Sequence, residues 1–409
     1  MTSAVCFQCI DDYYLKKIVM EEGAPNECAA CGLSNNNVFT VKRIGELMEP
    51  IMREHFHLGD DIKKFGANDD DWWEQEGDPM SSLVQEVLGQ YFDFEDEIVD
   101  AVIDAEVCWP QDGDIPYWDN TNYYKSSTIK PWNYIEDWAH TLDELKHKRR
   151  FFSPAAQSLF TRLFENVDDL RARSGKTLRP VVRNLPIGTE VFRARICKST
   201  SMLKDMFADP FKHVGPVPQS NAPAGRMNPE GVTVFYGSKE LNTCLAEMRP
   251  SIGNDVAVIS LRTTKKLRIL DFSLLEKARS RKTLSYFQPD FTQQLEKQAF
   301  LKHIHRLISQ PIVPGRESDY LITQTISEYL AHIHPKNFDG ILFSSAQRKT
   351  GTNIVLFSDT NFPLSYVADS LKLFSTTSIN YQHAELDVQV NDDGNVWFYN
   401  GSLNNFDDE

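Results

Sequence analysis

The sequence predicts a multidomain protein, with a small zinc knuckle or ribbon and an α-helical bundle followed by an α+β domain. Four of the seven cysteines lie within the first 31 residues. Apolar residues then recur at helical spacing to about residue 170, and short β-branched runs follow after Leu178. A chain of 409 residues is also too long for one ordinary hydrophobic core.

The domain boundaries are placed where these patterns change. We assign residues 1–40 to a cysteine-rich head, 41–175 to the helical domain, 180–370 to the α+β domain and 371–409 to a C-terminal β-hairpin extension. The turn sequence Asn391-Asp392-Asp393-Gly394, between two runs with alternating apolar residues, predicts this hairpin.

The head carries two Cys-x2-Cys pairs, Cys6 with Cys9 and Cys28 with Cys31, separated by 18 residues. This spacing is typical of a four-cysteine zinc site, in which each pair presents two thiolates from one tight turn. Gly32 follows the second pair, where a residue with positive φ is favourable. Four protein ligands fill the coordination shell, so we predict a structural Zn²⁺ that cross-links a head too small to build its own core. Four free or disulfide-bonded cysteines are the alternative.

Two sets of apolar residues predict helices in the second domain. The sets are Leu83, Val87, Leu88 and Tyr91, and Leu159, Leu163, Val167 and Leu170. Each set lies on one helical face. Ser153 and Pro154 supply an N-cap and a first-turn proline for the second helix. Acidic loops separate the helical stretches, so we expect a small bundle.

Six β-branched runs and two helical segments predict the third domain. The runs are 181–182, 191–193, 232–236, 256–259, 267–270 and 353–357, and the helices lie near residues 241–248 and 319–333. This alternation indicates a mixed α+β fold. The stretch 197–231, rich in Gly and Pro, is predicted to be a long binding loop or lid between two strands.

The composition excludes several classes of partner. The formal net charge is −15 and the isoelectric point is near 5.2. This charge argues against a phosphate-binding surface spread over the whole molecule, although it is compatible with a local basic site, so nucleic acid is not an expected partner. The N-terminal residues lack the apolar run of a signal peptide, and no other stretch reaches membrane-spanning length. We therefore expect a cytoplasmic protein with no membrane partner.

Polar residues with complementary chemistry recur through the α+β domain. Arg193 and Arg226 offer rigid, permanently charged forks that suit a pyrophosphate. Glu247 can stabilise positive charge that develops on a ribose. Tyr236 can stack on an aromatic ring, and Ser345 can hydrogen-bond a ribose or phosphate oxygen. Taken singly, each also fits an ordinary role in a salt bridge, a solvated helix face, the core or a turn, and only their combination favours a functional site.

The order of these residues, with the segment Gly225-Arg226-Met227-Asn228, resembles that of RES-domain proteins, toxins named for Arg, Glu and Ser positions. The resemblance covers about residues 190–359. It implies a fold similar to that of ADP-ribosyltransferases. It also implies cleavage of NAD by phosphorolysis or hydrolysis and, in some members, ADP-ribosylation.

The resemblance also assigns roles residue by residue. The family's Arg falls on Arg193, its Glu on Glu247 and its Ser on Ser345, whereas Arg226, Asn228 and Tyr236 complete the predicted NAD-binding set. Arg195 competes with Arg193 for the first position, and Ser344 competes with Ser345 for the last. The literal string Arg316-Glu317-Ser318 is interpreted as a coincidence.

The region before the α+β domain resembles the HEPN-like helical module that accompanies some RES domains. This likeness rests on the layout and on the stretch 149–152. HEPN nucleases use an Arg followed after four to six residues by His, and Arg53-x3-His57 is one residue short of that spacing. We therefore predict that the helical domain is noncatalytic. For the protein as a whole, two alternatives to an NAD-consuming enzyme are a HEPN-type ribonuclease and a noncatalytic binding module.

The resemblance implies two hypotheses for the activity. The first is an NAD-degrading toxin or antiphage defence effector that cleaves the nicotinamide–ribose bond. The second is a mono-ADP-ribosyltransferase that modifies a protein or RNA. RES systems encode their antitoxins separately, so the expected partners are NAD, a separate antitoxin or activator, and a second copy of the chain in a homo-oligomer.

Overall fold

The computed structural model describes ten segments of the chain. They are residues 3–65, 71–108, 113–174, 176–275, 277–280, 284–309, 320–357, 361–379, 387–390 and 396–399.

Short strands and helices alternate in the first part. The strands are β1 (Ala4–Cys6), β2 (Ala24–Asn26), β3 (Asn36–Thr40), β4 (Phe56–Leu58), β5 (Asp61–Phe65), β6 (Asp71–Gln75), β7 (Asp78–Pro79) and β8 (Tyr123–Ser126). The helices are α1 (Tyr13–Glu22), α2 (Val41–His55), α3 (Met80–Leu88), α4 (Glu95–Ala105), α5 (Trp132–Asp143) and α6 (Pro154–Phe164).

The second part contains the longer strands. The strands are β9 (Leu170–Ser174), β10 (Thr177–Pro180), β11 (Val182–Leu185), β12 (Glu190–Cys197), β13 (Val234–Ser238), β14 (Asp255–Thr263), β15 (Leu267–Asp271), β16 (Ala278–Ser280), β17 (Gly340–Ser344), β18 (Thr352–Phe357), β19 (Leu364–Tyr366), β20 (Lys372–Ser375), β21 (Asp387–Val390) and β22 (Val396–Tyr399). The helices are α7 (Thr200–Ala208), α8 (Pro210–Val214), α9 (Leu241–Glu247), α10 (Phe272–Leu275), α11 (Phe291–Ser309) and α12 (Tyr320–Glu328).

The head and the first helices share one hydrophobic core. Val5 of β1 and Leu15 and Val19 of α1 pack in the same buried cluster as Met48 of α2 and Ile98 of α4. In the head itself, β1, β3 and β2 form a three-stranded sheet in that order. The head is therefore stabilised by apolar burial against the helices.

The helix predicted from Leu83, Val87 and Leu88 is confirmed as α3, and all three side chains are buried. Tyr91 lies beyond this helix and is 63% exposed. The helix ends at Leu88 because Gly89 takes a left-handed C-cap with φ 71°. The assignment of Tyr91 to this face was wrong because the apolar spacing continues past a glycine stop.

Strands take up part of the region that was predicted to be helical. Strands β4, β8 and β7 form a three-stranded sheet in that order, and β5 pairs with β6. Helices α2 and α4 nevertheless pack closely at Gly45. A Cβ at this position would lie only 2.4 Å from the Ala101 carbonyl oxygen. The predicted helices are thus present as α2 to α6, whereas several of the connecting segments, which were predicted to be loops, contain strands.

The predicted start of α6 is confirmed, because the Ser153 side chain accepts a hydrogen bond from the Ala156 amide and Pro154 is the first helical residue. Leu159 and Leu163 are buried as predicted.

The predicted end of α6 is wrong. This helix ends at Phe164, Val167 lies in a 3-10 turn, and Leu170 begins β9. The apolar spacing continues past the end of the helix because Val167 and Leu170 are buried in the same hydrophobic core as Leu159 and Leu163.

Helices α5 and α6 pack against the second part of the chain. Tyr134 of α5 stacks on Phe300 of α11 with ring centroids 5.6 Å apart, and Phe164 of α6 stacks on Tyr329 at 6.0 Å. All four belong to a cluster that includes Leu270 of β15. The stretch predicted as one domain, residues 41–175, thus contributes to two cores.

A nine-stranded sheet forms the centre of the second part. Its order is β11-β15-β17-β18-β13-β12-β14-β19, with β20 also paired to β14. Neighbouring strands are antiparallel except for the parallel pair β15 and β17. The six predicted runs correspond to β11, β12, β13, β14, β15 and β18, and the two predicted helices to α9 and α12. The mixed α+β prediction is therefore confirmed; residue 319, predicted to begin the second helix, lies outside the described residues.

The stretch 197–231 is not a structureless loop, because it contains α7 and α8. Ser199 and Asp209 cap these helices by accepting hydrogen bonds from the Met202 and Lys212 amides. The loop prediction was wrong here because the Gly and Pro content of the stretch obscured two capping residues. At the C-terminus β21 and β22 pair antiparallel as predicted, whereas the turn at 391–394 lies outside the described residues.

Within the described segments, no helix combines the length and the apolar character needed to cross a lipid bilayer.

Candidate active site

The predicted site residues come from three strands of the large sheet, one helix and one turn. Arg193 lies on β12 and Tyr236 on the adjacent β13, Glu247 is the last residue of α9, and Ser345 directly follows β17. Arg226 belongs to the turn before β13. They surround or adjoin a cavity of about 350 Å³, a volume at the lower end of the range for ligand sites.

The Glu247 carboxylate is held by two side chains from distant parts of the chain. Ser345 Oγ donates to Glu247 Oε1 at 2.5 Å, and Asn353 Nδ2 donates to the same oxygen at 2.7 Å. Two side-chain donors thus converge on one oxygen of this side chain. The hydrogen bonds among the described residues use only Oε1, so Oε2 is available to a ligand.

Ser345 is fixed by the turn that follows β17. Its Oγ accepts hydrogen bonds from the Gln347 and Arg348 amides at 3.1 and 3.2 Å, which aims its own proton at Glu247. Gly351 closes this turn: a Cβ there would lie 2.5 Å from Thr243 Oγ1 of α9. The turn therefore brings Ser345, and not the competing Ser344, into hydrogen-bond contact with the carboxylate.

Arg193 is anchored at the edge of the cavity. Its Nη1 donates to the Tyr236 carbonyl oxygen, and its guanidinium lies 5.6 Å from the centre of the Phe235 ring. Its buried Nε has no hydrogen-bond acceptor among the described residues. Burial and the neighbouring Arg195 lower the pKa of Arg193 to about 10, so the guanidinium stays charged at neutral pH.

The segment Gly225-Arg226-Met227-Asn228 forms a tight turn. The Gly225 amide donates to the Asn228 carbonyl oxygen at 2.9 Å. The Asn228 amide group donates to three carbonyl oxygens of the surrounding loop, those of Pro223, Pro229 and Val232. A Cβ on Gly225 would lie 2.8 Å from both Asn228 Oδ1 and the Tyr236 hydroxyl. Glycine is therefore needed where the turn meets the sheet.

Tyr236 ties this turn to the sheet. Its hydroxyl donates to Asn228 Oδ1 at 2.9 Å and accepts from the Met227 amide at 2.8 Å. Burial raises the pKa of Tyr236 to about 12, so the hydroxyl keeps its proton. Arg226 Nη1 donates to the carbonyl oxygen of Ile308 on α11, which holds the guanidinium beside the cavity. Asn228 shapes the turn and is not among the residues that line the cavity.

The cavity is electropositive although the protein is acidic. Four arginines line it, Arg193, Arg195, Arg226 and Arg249, against the single carboxylate of Glu247, which is a formal charge of +3. Burial lowers the pKa of Arg195 and of Arg226, but guanidinium groups remain protonated in proteins. The cavity is therefore suited to an anionic ligand that carries more than one phosphate.

Sequence reasoning missed Asn353, Ser238 and Arg249. Asn353 begins an apolar run on β18 and faces Ser238 across the sheet, and both are buried. A polar pair in the interior of a sheet is a recognisable signal, but the pairing appears only when the strand register is known. Arg249 has φ 44°, which is uncommon for a residue other than glycine, and directs a side chain to the cavity just after α9.

The four cysteines of the head converge as predicted. Their sulfur atoms lie within 4.8 Å of one another, with Cys6 Sγ 3.7 Å from Cys9 Sγ and 3.8 Å from Cys31 Sγ. A tetrahedron with metal–sulfur bonds of about 2.3 Å has edges of about 3.8 Å, so the set fits Zn²⁺. Gly32 takes the expected positive φ, 71°. Cys6, Cys9, Cys28 and Cys31 would hold the ion at a closed site, whose contribution is to stability.

The second part of the chain thus combines a mixed sheet with a cavity that contains four arginines and the carboxylate of Glu247. Residues 191–374 match the family model described as the RES domain. This part of the chain therefore belongs to the RES-domain family, which is consistent with an NAD-utilising enzyme. Comparisons with curated proteins and with solved structures gave no match.

Proposed function

We propose that the RES domain binds NAD and cleaves its nicotinamide–ribose bond. The observation that carries this proposal is the position of Glu247, held by Ser345 and Asn353, in a cavity whose other charged lining residues are all arginines. This combination suits a substrate with a negatively charged pyrophosphate and a ribose on which positive charge develops.

Arg193 and Arg226 bind the pyrophosphate in this proposal, because both are already oriented by hydrogen bonds to backbone carbonyl oxygens. The ring of Tyr236 lines the cavity and offers a surface for the nicotinamide. Ser345 acts on Glu247 and not directly on a phosphate, since its hydroxyl proton is used by the carboxylate.

The chemical step is heterolytic cleavage of the bond between the ribose C1′ and the pyridinium nitrogen. The bonding electron pair goes to that nitrogen, so nicotinamide leaves as a neutral molecule and needs no general acid. Glu247 stabilises the positive charge that develops on the ribose and binds a ribose hydroxyl through Oε2. Water or phosphate then attacks C1′, giving ADP-ribose with release of a proton, or the ADP-ribose phosphoester.

By depleting cellular NAD, the protein acts in this proposal as a cytoplasmic toxin or antiphage defence effector. A separately encoded antitoxin inhibits its activity, or an activator triggers it. Transfer of ADP-ribose to a protein or RNA is the alternative fate of the same intermediate. A homo-oligomer of the chain also remains part of this proposal.

The helical region is noncatalytic in this proposal. Arg53, the candidate HEPN arginine, pairs with Glu49 at 2.6 Å and Glu106 at 3.0 Å, and its guanidinium lies 4.7 Å from the centre of the Tyr117 ring. An arginine engaged in this way stabilises the fold and is not free to act on RNA. His57 instead lies near Ser127, with Nδ1 3.3 Å from Oγ.

The test is incubation of the purified full-length protein with NAD, with and without phosphate and with candidate protein or RNA acceptors. Chromatography then separates nicotinamide, ADP-ribose and its phosphoester, and labelled acceptors are resolved by gel. Release of nicotinamide is expected. No release under any of these conditions would refute both the NAD-degrading and the transferase hypotheses.

Glu247→Gln is expected to lower turnover by at least about 100-fold, because it removes the charge with little change in volume. NAD binding, measured by calorimetry, should change little. Glu230→Gln is the matched control, since Glu230 is an exposed carboxylate in the neighbouring loop. Full activity of Glu247→Gln would show that the catalytic assignment is wrong.

A further inference from the structure

Behind Glu247 a chain of hydrogen bonds leads into the interior of the sheet. Ser238 on β13 and Asn353 on β18 are directly opposite in the strand register. Ser238 Oγ donates to Asn353 Oδ1 at 2.8 Å, and Asn353 Nδ2 donates to Glu247 Oε1 at 2.7 Å. Ser238 is 2% and Asn353 7% exposed, so water does not replace these bonds easily.

Packing alone gives no reason for polar residues here. The next residues of β18, Ile354, Val355 and Leu356, are fully buried and apolar. Burying the Ser238 hydroxyl and the Asn353 amide on two adjacent strands is costly unless each is hydrogen-bonded, and one hydrogen-bond partner of the amide is the carboxylate at the cavity. The hydrogen bonds therefore run from Ser238 to Asn353 and from Asn353 to Glu247, at the proposed reaction site.

The direction of the chain determines which end of the amide faces Glu247. The Ser238 hydroxyl donates to the carbonyl end of Asn353, so the NH2 end is directed at the carboxylate. Reversal of the amide would place two acceptors, Oδ1 and Oε1, against each other. With the Ser345 hydroxyl, the oriented amide gives two donors that converge on one oxygen and restrict rotation of the carboxylate.

We propose that Asn353, oriented by Ser238, is a positioning residue that fixes Glu247 Oε1 and thereby presents Oε2 to the ribose of NAD. This inference rests on the proposed NAD cleavage. Asn353 lines the cavity, but its Oδ1 accepts from Ser238 and its Nδ2 donates to Glu247, so we assign its effect to the orientation of Glu247.

The first test is a double-mutant cycle with nicotinamide release as the readout. Asn353→Ala is expected to lower kcat by about 10- to 100-fold, the effect of losing one hydrogen bond to a charged group. KM for NAD should change by less than about threefold. Ser238→Ala should give a smaller loss, and the double variant should be no worse than Asn353→Ala, since Ser238 acts only through the amide. Losses that multiply in the double variant would contradict this order.

The second test is the pH profile of Asn353→Asp. At a pH at which the introduced carboxyl group and Glu247 share one proton, the introduced group can still donate a hydrogen bond to Glu247, as the amide does. When that proton is lost at higher pH, the two negative charges repel and Glu247 is displaced. Activity of this variant should therefore fall with rising pH across a range in which the wild type is constant.

A purely structural role for Asn353 would instead lower activity of Asn353→Asp by the same factor at every pH, and this result would overturn the inference. Ser365→Ala, an exposed serine on β19 in the same sheet, is the control and should match the wild type. Circular dichroism and calorimetric NAD binding show whether each variant is folded. An inactive wild type would refute the proposed function and this inference with it, whereas an active wild type with unaltered Asn353 variants would refute the inference alone.

Discussion

Replacing Tyr236 by phenylalanine removes one oxygen atom that joins the turn at 225–228 to the sheet. That oxygen donates to Asn228 Oδ1 at 2.9 Å and accepts from the Met227 amide at 2.8 Å. Both partners are buried, with Met227 2% and Asn228 3% exposed. The aromatic ring stays, so any stacking on nicotinamide is retained and the change isolates the anchoring role of the hydroxyl.

The expected cost follows from the two lost hydrogen bonds. Each contributes about 1 kcal/mol net, and an unsatisfied buried partner adds to that, so the free energy of unfolding should fall by about 2 to 4 kcal/mol. Arg226 lies within the same turn. In the variant the turn must be ordered when NAD binds, so part of the lost free energy should appear as a raised KM for NAD. If ordering the turn costs about 2 kcal/mol, KM should rise by about 30-fold. The kcat at saturating NAD should stay within about threefold of the wild type.

Urea denaturation and steady-state nicotinamide release measure the two effects. Tyr366→Phe is the control, because the Tyr366 hydroxyl makes no hydrogen bond in the described part of the chain and lies on β19 of the same sheet. If Tyr236→Phe changed neither the denaturation midpoint nor KM, the hydroxyl would not anchor the turn. A loss confined to kcat would place the hydroxyl in the chemical step instead.

Two further predictions concern the head and α11. Metal analysis is expected to find one Zn²⁺ per chain in the wild type. Cys28→Ser should abolish this binding and lower the thermal midpoint of the first part of the chain. Full zinc retention in the variant would contradict a four-cysteine site. Burial lowers the pKa of Lys297 from 10.5 to about 8. Between these pH values the unfolded chain binds more protons than the folded protein. The free energy of unfolding should therefore rise from pH 8 to 10 by about 2 kcal/mol relative to Lys297→Met. Parallel pH profiles of the two proteins would show that folding does not lower the pKa of Lys297.

Much of the fold was accessible from local sequence. Alternating β-branched runs predicted β11 to β15 and β18, because strand periodicity is a local property. Ser153 and Pro154 predicted the start of α6 for the same reason. The cysteine spacing predicted the sulfur cluster, since two knuckle turns are each four residues long.

Other features depended on contacts between distant segments. Helices α5 and α6 belong to the core that contains Phe300 and Tyr329, whereas α2 and α4 belong to a different core. The periodicity of α5 and α6 alone cannot distinguish these two cores. Tyr91 and Leu170 kept an apolar spacing after their helices had ended. Helix ends are decided by capping and by the contacts of the next segment, which a spacing rule does not contain.

The sequence by itself predicted the residue types of the candidate site: two arginines that suit a pyrophosphate, a carboxylate that suits a developing positive charge, and a serine in family order. Only the tertiary structure decided which of these touch. Ser345 and Asn353 converge on one oxygen of Glu247 from 98 and 106 residues away. That convergence requires the register of β13, β17 and β18, which is set by burial of their apolar side chains across the whole sheet and not by any short stretch of sequence.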